Sequence, residues 1–133
     1  QPEKISFAGK RFLVVEDHII DREIAVELLK MSKATVETAV DGKAAVDKFA
    51  ASAPGYYDLI LMDIQMPIMN GYEATKAIRN SNHAQAKTIP IIAMTADAFT
   101  EDVSKSLTAG MNEHISKPID VKKMLQTLAK FLQ

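Results

Sequence analysis

The sequence lacks cysteine, long apolar runs and an excess of charge of either sign. Without cysteine the chain can form no disulfide framework, no thiolate metal site and no thiol nucleophile, and it suits a cytoplasmic setting. No apolar run approaches the roughly 20 residues that span a membrane. We therefore expect no membrane contact by this chain, although a parent chain could carry an anchor. The formal net charge of −1 gives no basic field, which argues against direct binding to nucleic acid.

The composition is that of an ordinary globular domain, with 133 residues, 47% hydrophobic and 25% charged. This length suits one domain with its own core. Residues 1–10 carry no hydrophobic period and are predicted to be a linker or tail, so that the domain covers residues 11–133. The chain starts with Gln1 and not with Met, and we expect it to be a segment of a longer protein.

Five apolar segments alternate with five amphipathic helical patterns. The predicted strands lie at residues 12–15, 35–40, 57–62, 89–94 and 113–116. The segment from Leu59 to Met62 is apolar at every position, as in a strand that is covered on both faces. In the first helical pattern Ile20, Ile24, Leu28 and Met31 form one stripe, which we expect to face the core. Such alternation predicts a parallel sheet with helices on both faces.

Polar residues follow the predicted strands where each strand ends. Glu16 and Asp17 follow the first strand, Asp63 the third, Thr95 the fourth and Lys117 the fifth. In open parallel sheets this edge is where ligands bind. Converging carboxylates repel one another unless a cation lies between them, and oxygen ligands suit Mg²⁺. With a lysine and a hydroxyl nearby, a carboxylate such as Asp63 is the natural nucleophile for a transferring phosphoryl group.

Each of these residues also has a purely structural explanation. Asp63 could be a turn residue or a helix cap. Glu16 and Asp17 could be an acidic pair at a helix N-terminus, where the helix dipole favours negative charge. Thr95 could cap the next helix, and Lys117 could be a solvated surface lysine. Because all of these groups are predicted at one edge of the sheet, we favour the interpretation as a site.

The order of several short segments is more specific than any one of them. They are Val14-Val15-Glu16-Asp17, Met62-Asp63-Ile64-Gln65-Met66-Pro67, Met69-Asn70-Gly71, Met94-Thr95-Ala96 and Ser116-Lys117-Pro118. With these segments, the chain resembles the receiver domain of two-component response regulators from residue 11 to about residue 132. The resemblance implies a flavodoxin-like (βα)5 fold, a doubly wound five-stranded parallel sheet with strand order 2-1-3-4-5.

The resemblance also implies roles for individual residues. Asp63 would be the phosphoacceptor, and Glu16, Asp17, Asp63 and the backbone carbonyl of Gln65 would hold Mg²⁺. Lys117 would bind the phosphoryl oxygens, and the hydroxyl of Thr95 would swing onto the phosphate. Self-catalysed phosphotransfer and dephosphorylation would be the extent of its enzymatic activity. Family members tune hydrolysis at the positions of Gln65 and Asp97, and in many of them the peptide bond before the proline at position 118 is cis.

The chain departs from the family pattern at His114, where many members carry Tyr or Phe as a switch residue. His114 is interpreted either as a half-exposed residue on a partner surface or as a packing histidine. The segments around Thr95 and Lys117 resemble receivers of hybrid sensor histidine kinases. The implied partners are a histidine kinase phosphodonor domain and a histidine phosphotransfer protein, with Ile20, Ile119 and Pro118 as candidate docking residues. His18 and His83 are expected to be surface polar residues.

Alternative functions stay open at this point. The chain could be a free-standing single-domain response regulator, or a receiver that binds partners without phosphorylation, although no residue of the site is lost. An aspartate-nucleophile phosphatase of the haloacid dehalogenase type needs an Asp-x-Asp motif. Here Ile64 and Gln65 follow Asp63, so turnover of external substrates is not expected.

Overall fold

The structure is a computed structural model that describes residues 5–96 and 100–132, without the side chains of residues 100–103. Five parallel strands form its sheet: β1 (Arg11–Val15), β2 (Thr35–Ala39), β3 (Leu59–Asp63), β4 (Ile91–Thr95) and β5 (Glu113–Ser116). Their order is β2-β1-β3-β4-β5. This arrangement confirms the predicted flavodoxin-like fold and the predicted strand order. The central strand β3 is buried at every position, as its unbroken apolar run predicts.

Five helices cover the two faces of this sheet. They are α1 (Ile19–Met31), α2 (Gly42–Ala51), α3 (Gly71–Arg79), α4 (Thr100–Ala109) and α5 (Val121–Leu132). One core cluster joins the sheet to Phe49 of α2 and Ile78 of α3. A second cluster on the other face joins it to Leu29 of α1 and Leu128 of α5. Alternate side chains of a strand point to opposite faces, so Leu61 and Met62 of β3 contribute to different clusters.

The buried face of helix α1 is not the apolar stripe that the sequence predicted. Ala25 and Leu29 are buried, whereas Ile20 is 67% exposed and Met31 78% exposed. The prediction that Ile20 packs in the core is therefore wrong. The helix has two neighbouring apolar stripes, and the hydrophobic period does not state which of them meets the sheet. Leu28 of the predicted stripe still packs partly against the core, whereas Ile20, Ile24 and Met31 lie in solvent.

Local capping fixes where several helices begin. The Asp41 carboxylate accepts a hydrogen bond of 2.8 Å from the backbone N–H of Ala44, so Asp41 is the N-cap of α2. Asn70 and Glu73 form a capping box at α3. The Asp120 carboxylate accepts from the Lys123 N–H at 3.1 Å, as expected of an N-cap at the start of α5.

Part of the predicted tail packs on the domain. Phe7 is 3% exposed, its ring centroid lies 5.2 Å from that of Phe12, and its N–H donates to the Ser32 carbonyl at 2.7 Å. A domain boundary at residue 11 stays a prediction. Among the residues that the structure describes, no helix is both long and apolar enough to cross a membrane.

Candidate functional site

The carboxyl edge of the sheet gathers the polar residues that were predicted to follow the strands, namely Glu16, Asp17, Asp63, Thr95 and Lys117. Glu16 follows β1 and is 1% exposed, while Asp63 and Thr95 end β3 and β4 and are 4% and 6% exposed. Lys117 follows β5 directly. The parallel register aligns these ends, because Asp63 lies opposite Met94 and Thr95 lies opposite Ser116. Strand pairing thereby places side chains from distant parts of the chain around one point.

Lys117 forms the centre of the charge network. Its Nζ lies 2.6 Å from Oε1 of Glu16 and 3.1 Å from Oδ1 of Asp63. The Lys117 side chain is 20% exposed, and those of Glu16 and Asp63 are 1% and 6% exposed. The lysine is thus not a solvated surface residue, and Asp63 is not an ordinary turn residue. Buried carboxylates of this kind need a counter-charge, which Lys117 provides in part.

Three carboxylates cluster at this edge. Glu16, Asp17 and Asp63 each contribute one carboxylate oxygen to this cluster, and these three oxygens lie within 4.8 Å of one another. Oδ1 of Asp17 is buried and has no hydrogen-bond partner among the residues that the structure describes, although an unpaired carboxylate oxygen is costly to bury. Three carboxylate oxygens at this spacing, together with a buried carboxylate oxygen that lacks a hydrogen bond, fit a hard divalent cation such as Mg²⁺. Glu16 lies three residues before α1 begins at Ile19, so it is not an acidic residue of the first helical turn.

The surroundings of Asp63 shift its protonation. Burial, together with the hydrogen bond and the negative charge of Glu16, raises the pKa of Asp63 to about 7, and Lys117 offsets only part of this effect. For Lys117 itself, burial acts to lower the pKa, but the hydrogen bond to Glu16 and the charge of Asp63 outweigh it and raise that pKa. Without a bound cation, Asp63 is therefore partly protonated near neutral pH, and a cation in the cluster favours its charged, nucleophilic form.

The loop after Asp63 is held by close backbone contacts. A Cβ atom on Gly71 would lie 2.3 Å from the Asp63 carbonyl oxygen, and one on Gly42 would lie 2.4 Å from the Met69 carbonyl oxygen. Both positions therefore exclude larger residues. The contact between Gly42 and Met69 leaves no signal in the local sequence, because the two residues lie in segments that are far apart in the chain.

Ile68, in the same loop, has a φ of +69° and is 80% exposed. A left-handed backbone is strained for a β-branched residue. Nothing in the local sequence marks this strain. The backbone N–H of Met69 donates to the Pro67 carbonyl at 2.7 Å, which closes a tight turn around Ile68.

A cavity of about 430 Å³ opens beside Asp63. Its lining includes Gln65, Thr95 and Lys117, together with His18 and Asp21 from the start of α1. The sequence analysis did not single out Asp21, which α1 brings to the site. Arg22 was missed as well: its Nη1 donates to the Glu16 carbonyl at 3.0 Å and holds the turn that carries the acidic pair.

The remaining candidates lie around this site or away from it. Pro118 follows a cis peptide bond. The His114 side chain is 28% exposed, and its Nδ1 lies 3.6 Å from Oε1 of Glu113, so it is half-exposed and not packed in the core. His83 was expected on the surface; instead its ring centroid lies 4.2 Å from that of Phe49 and its Nδ1 accepts from the Gln85 N–H. Asp97 lies outside the described residues.

Comparison with known proteins identifies a family for this arrangement. The family model described as the response regulator receiver domain matches residues 12–129. Histidine kinase 1 of Arabidopsis thaliana is 38% identical over 153 residues, which cover 92% of this chain but only 13% of that protein. The two-component response regulator ORR41 of Oryza sativa is 42% identical over 124 residues, covering 91% of this chain and 93% of that protein.

Solved structures share the same architecture. The receiver domain of sensor histidine kinase PA1611 from Pseudomonas aeruginosa, solved with a magnesium ion in its active-site cleft, is 33% identical with a TM-score of 0.84 and covers 94% of this chain and 98% of that one. The co-crystal structure of the Saccharomyces cerevisiae phosphotransfer protein Ypd1 with the receiver domain of Ssk1 matches at 27% identity and a TM-score of 0.82, over 94% of this chain and 90% of that one. The chain belongs to the response regulator receiver domain family, the phosphoacceptor domains of two-component systems.

Proposed function

We propose that this receiver takes a phosphoryl group from phosphohistidine onto Asp63 and passes it on or changes conformation in response. The observation that carries the proposal is the position of Lys117 Nζ, 2.6 Å from Glu16 and 3.1 Å from Asp63. A fixed ammonium group beside a buried carboxylate can bind the oxygens of a phosphoryl group at the moment when that carboxylate attacks. Burial and the neighbouring Glu16 charge raise the pKa of Asp63 to about 7, so the carboxyl group needs the positive charge of Lys117 and of a cation to be in its charged, nucleophilic form at neutral pH.

The proposed transfer is an in-line displacement at phosphorus. A carboxylate oxygen of Asp63 forms the new O–P bond while the P–N bond to the donor histidine breaks. The imidazole, protonated on its second nitrogen, keeps the electron pair of the broken bond and leaves as a neutral ring. Lys117 donates hydrogen bonds to the phosphoryl oxygens, and Thr95, at the end of β4, provides a hydroxyl donor to the acyl phosphate.

We propose Mg²⁺ as the cation of this site, held by Glu16, Asp17, Asp63 and the backbone carbonyl of Gln65. The support is the three-carboxylate cluster and the buried, unpartnered Oδ1 of Asp17, together with the magnesium ion in the related PA1611 receiver. When bound, such an ion supplies positive charge that stabilises the negative charge on the phosphoryl oxygens.

Phosphorylation by a small-molecule donor tests the role of Asp63. With acetyl phosphate and Mg²⁺, the intact mass should rise by one phosphoryl group, and Asp63→Asn should abolish the gain. Asp47→Asn is the matched control, because Asp47 lies on the exposed face of α2, where it pairs with Lys43. A folded wild-type protein that gains no mass, or an Asp63→Asn variant that still gains it, would contradict the proposal. Catalytic release of phosphate from varied esters would instead favour a phosphatase.

A hybrid histidine kinase is the parent that we propose for this domain. Histidine kinase 1, of which the matched region is 13%, is a much longer protein than this chain. The relation to ORR41, which is covered over 93% of its length, favours a free-standing regulator as the second candidate. The sequence of the intact transcript distinguishes them, because only the hybrid kinase places a kinase core in the same reading frame.

We propose that a histidine phosphotransfer protein docks on the exposed start of α1. Ile20 and Ile24 are 67% and 46% exposed, and Ile24 lines a small cavity together with Lys117, Pro118 and Ile119. This apolar surface adjoins the phosphoacceptor site, as docking for transfer requires. The complex of a related receiver with a phosphotransfer protein supports this kind of partner.

Ile20→Ser tests the docking surface. Transfer from a phosphorylated phosphotransfer protein should slow by about tenfold or more, because a central apolar contact is lost, while labelling by acetyl phosphate stays unchanged. Met31→Ser is the matched control, since Met31 is 78% exposed at the opposite end of the same helix. Equal effects of the two substitutions on transfer would show that the partner docks elsewhere.

A further inference from the structure

Asp21 is a third carboxylate at Lys117, besides Glu16 and Asp63. Its Oδ2 lies 3.7 Å from Nζ of Lys117, and its side chain is 45% exposed. Asp21 belongs to the first turn of α1, whereas Glu16 and Asp63 lie at strand ends. It lines the same cavity as Asp63 and Thr95. Asp21 is therefore part of the cavity that a phosphoryl group must enter to reach Asp63.

Asp21 differs from the other two carboxylates in how it contacts Lys117. An ammonium group carries three N–H donors. Glu16 at 2.6 Å and Asp63 at 3.1 Å are within hydrogen-bond distance, whereas Asp21 at 3.7 Å is an ion pair without a hydrogen bond. An incoming phosphoryl oxygen can therefore approach the third N–H while the two short contacts persist. Asp21 is the most exposed of the three carboxylates at Lys117, with 45% of its side chain exposed against 1% for Glu16 and 6% for Asp63.

We propose that Asp21 is a specificity-determining residue whose negative charge, beside Lys117, weakens the binding of small anionic phosphodonors. This inference rests on the proposed role of Asp63 as phosphoacceptor. A free donor approaches Lys117 against the negative charge of Asp21, and it has few other contacts to compensate for the repulsion. A phosphohistidine on a docked protein is held by the surface of its partner, so the same repulsion discriminates against the free donor.

A purely structural role for Asp21 leads to different results. An acidic residue in the first turn of a helix stabilises the helix through its dipole. If that were its whole role, neutralising Asp21 would lower the melting temperature and leave phosphoryl binding unchanged or weaker. A repulsive role instead predicts tighter phosphoryl binding after the charge is removed.

The experiment measures trifluoroberyllate affinity, Mg²⁺ affinity and the rate of labelling by acetyl phosphate for the wild type, Asp21→Asn and Asp21→Glu. Asp21→Asn should bind trifluoroberyllate about three- to tenfold more tightly and react with acetyl phosphate faster by a similar factor, as expected for one charge at this distance in a partly solvated site. Its Mg²⁺ affinity should be unchanged or slightly weaker. Asp21→Glu should behave as the wild type. The gain should shrink in about 1 M salt, where the Debye length is about 3 Å.

Glu23→Gln is the control for net charge, because Glu23 is exposed on the same helix and takes no part in the site. If Asp21→Asn does not fold, Asp21→Ser carries the same prediction. An affinity for trifluoroberyllate that stays the same or falls, or a gain that Glu23→Gln reproduces, would overturn the inference while leaving phosphorylation of Asp63 intact. A wild type that neither binds trifluoroberyllate nor gains a phosphoryl group would instead refute the proposed function itself.

Discussion

Nζ of Lys117 lies 3.1 Å from Oδ1 of Asp63, although 54 residues separate the two in the chain. The same Nζ lies 2.6 Å from Glu16, which is 101 residues away. Strand order β2-β1-β3-β4-β5 brings all three to one edge. The lysine thereby offsets part of the repulsion between two buried carboxylates and leaves them able to bind a cation.

Lys117→Met should separate the two functions of this charge network, which are phosphoryl transfer to Asp63 and the binding of Mg²⁺. Labelling of Asp63 by acetyl phosphate should fall by roughly 100-fold, because a preorganised positive charge at the phosphoryl oxygens is lost. Mg²⁺ should bind as tightly as in the wild type or more tightly, since a competing positive charge has gone. Phosphorylation followed by intact mass and Mg²⁺ titration measure the two effects. Lys123→Met, on the exposed surface of α5, should change neither; a parallel loss of Mg²⁺ binding in Lys117→Met would contradict this account.

The stability of the metal-free protein should depend on pH through Asp63. Burial and the neighbouring Glu16 raise the pKa of Asp63 from 3.8 to about 7, so the folded state binds a proton that the unfolded chain releases. This contribution to stability is fully present below about pH 4 and is lost as the pH rises through about 7. The melting temperature without divalent cations should therefore fall between about pH 4 and about pH 7.

Asp63→Asn should remove this part of the pH dependence, whereas Asp47→Asn should keep it. Adding Mg²⁺ should raise the melting temperature more at the higher pH, where Asp63 is charged and can act as a ligand. An identical pH dependence in Asp63→Asn and the wild type would show that another group is responsible.

Gly71→Ala should damage the site without touching any charged residue. Its Cβ would lie 2.3 Å from the Asp63 carbonyl oxygen and 2.9 Å from the Ile64 Cα, so the backbone that carries Asp63 must move. We expect a loss of about 2 kcal/mol or more in the free energy of unfolding, and slower labelling. Gly55→Ala is the comparison, because Gly55 has a positive φ but open space around its Cα. It should cost about 1 kcal/mol and leave labelling unchanged, and equal labelling by both variants would argue against the contact.

Ile68→Asn should stabilise the protein. Ile68 adopts a φ of +69° and is 80% exposed, so the substitution removes left-handed strain without emptying the core. The gain should be about 1 kcal/mol in urea unfolding, because asparagine tolerates this conformation better than isoleucine. Val40→Asn, at a valine that is 51% exposed with no positive φ recorded, should give no such gain. A destabilised Ile68→Asn would mean that the isoleucine side chain contributes contacts that outweigh its strain.

The fold was largely predictable from the sequence, because unbroken apolar runs such as Leu59 to Met62 have one common structural explanation. The polar residues that follow those runs were predictable as a group, since parallel strands bring their carboxyl ends to one edge. The boundaries of α2 were less clear. Asp41 and Gly42 suit a turn as well as an N-cap, and only the hydrogen bond to Ala44 distinguishes the two.

The sequence by itself determined the parallel sheet, and the family resemblance added the strand order. The sequence also identified one group of site residues, namely Asp63, Glu16, Asp17, Thr95 and Lys117. Only the tertiary structure decided that Ala25 and Leu29 face the core while Ile20 faces solvent. Only it brought Asp21 to Lys117 and Gly42 to Met69. Periodicity records that a helix has an apolar face, but which of two neighbouring stripes is buried depends on the shape of the sheet that the helix meets. Contacts between distant segments depend on that packing too, and no local pattern of residues encodes them.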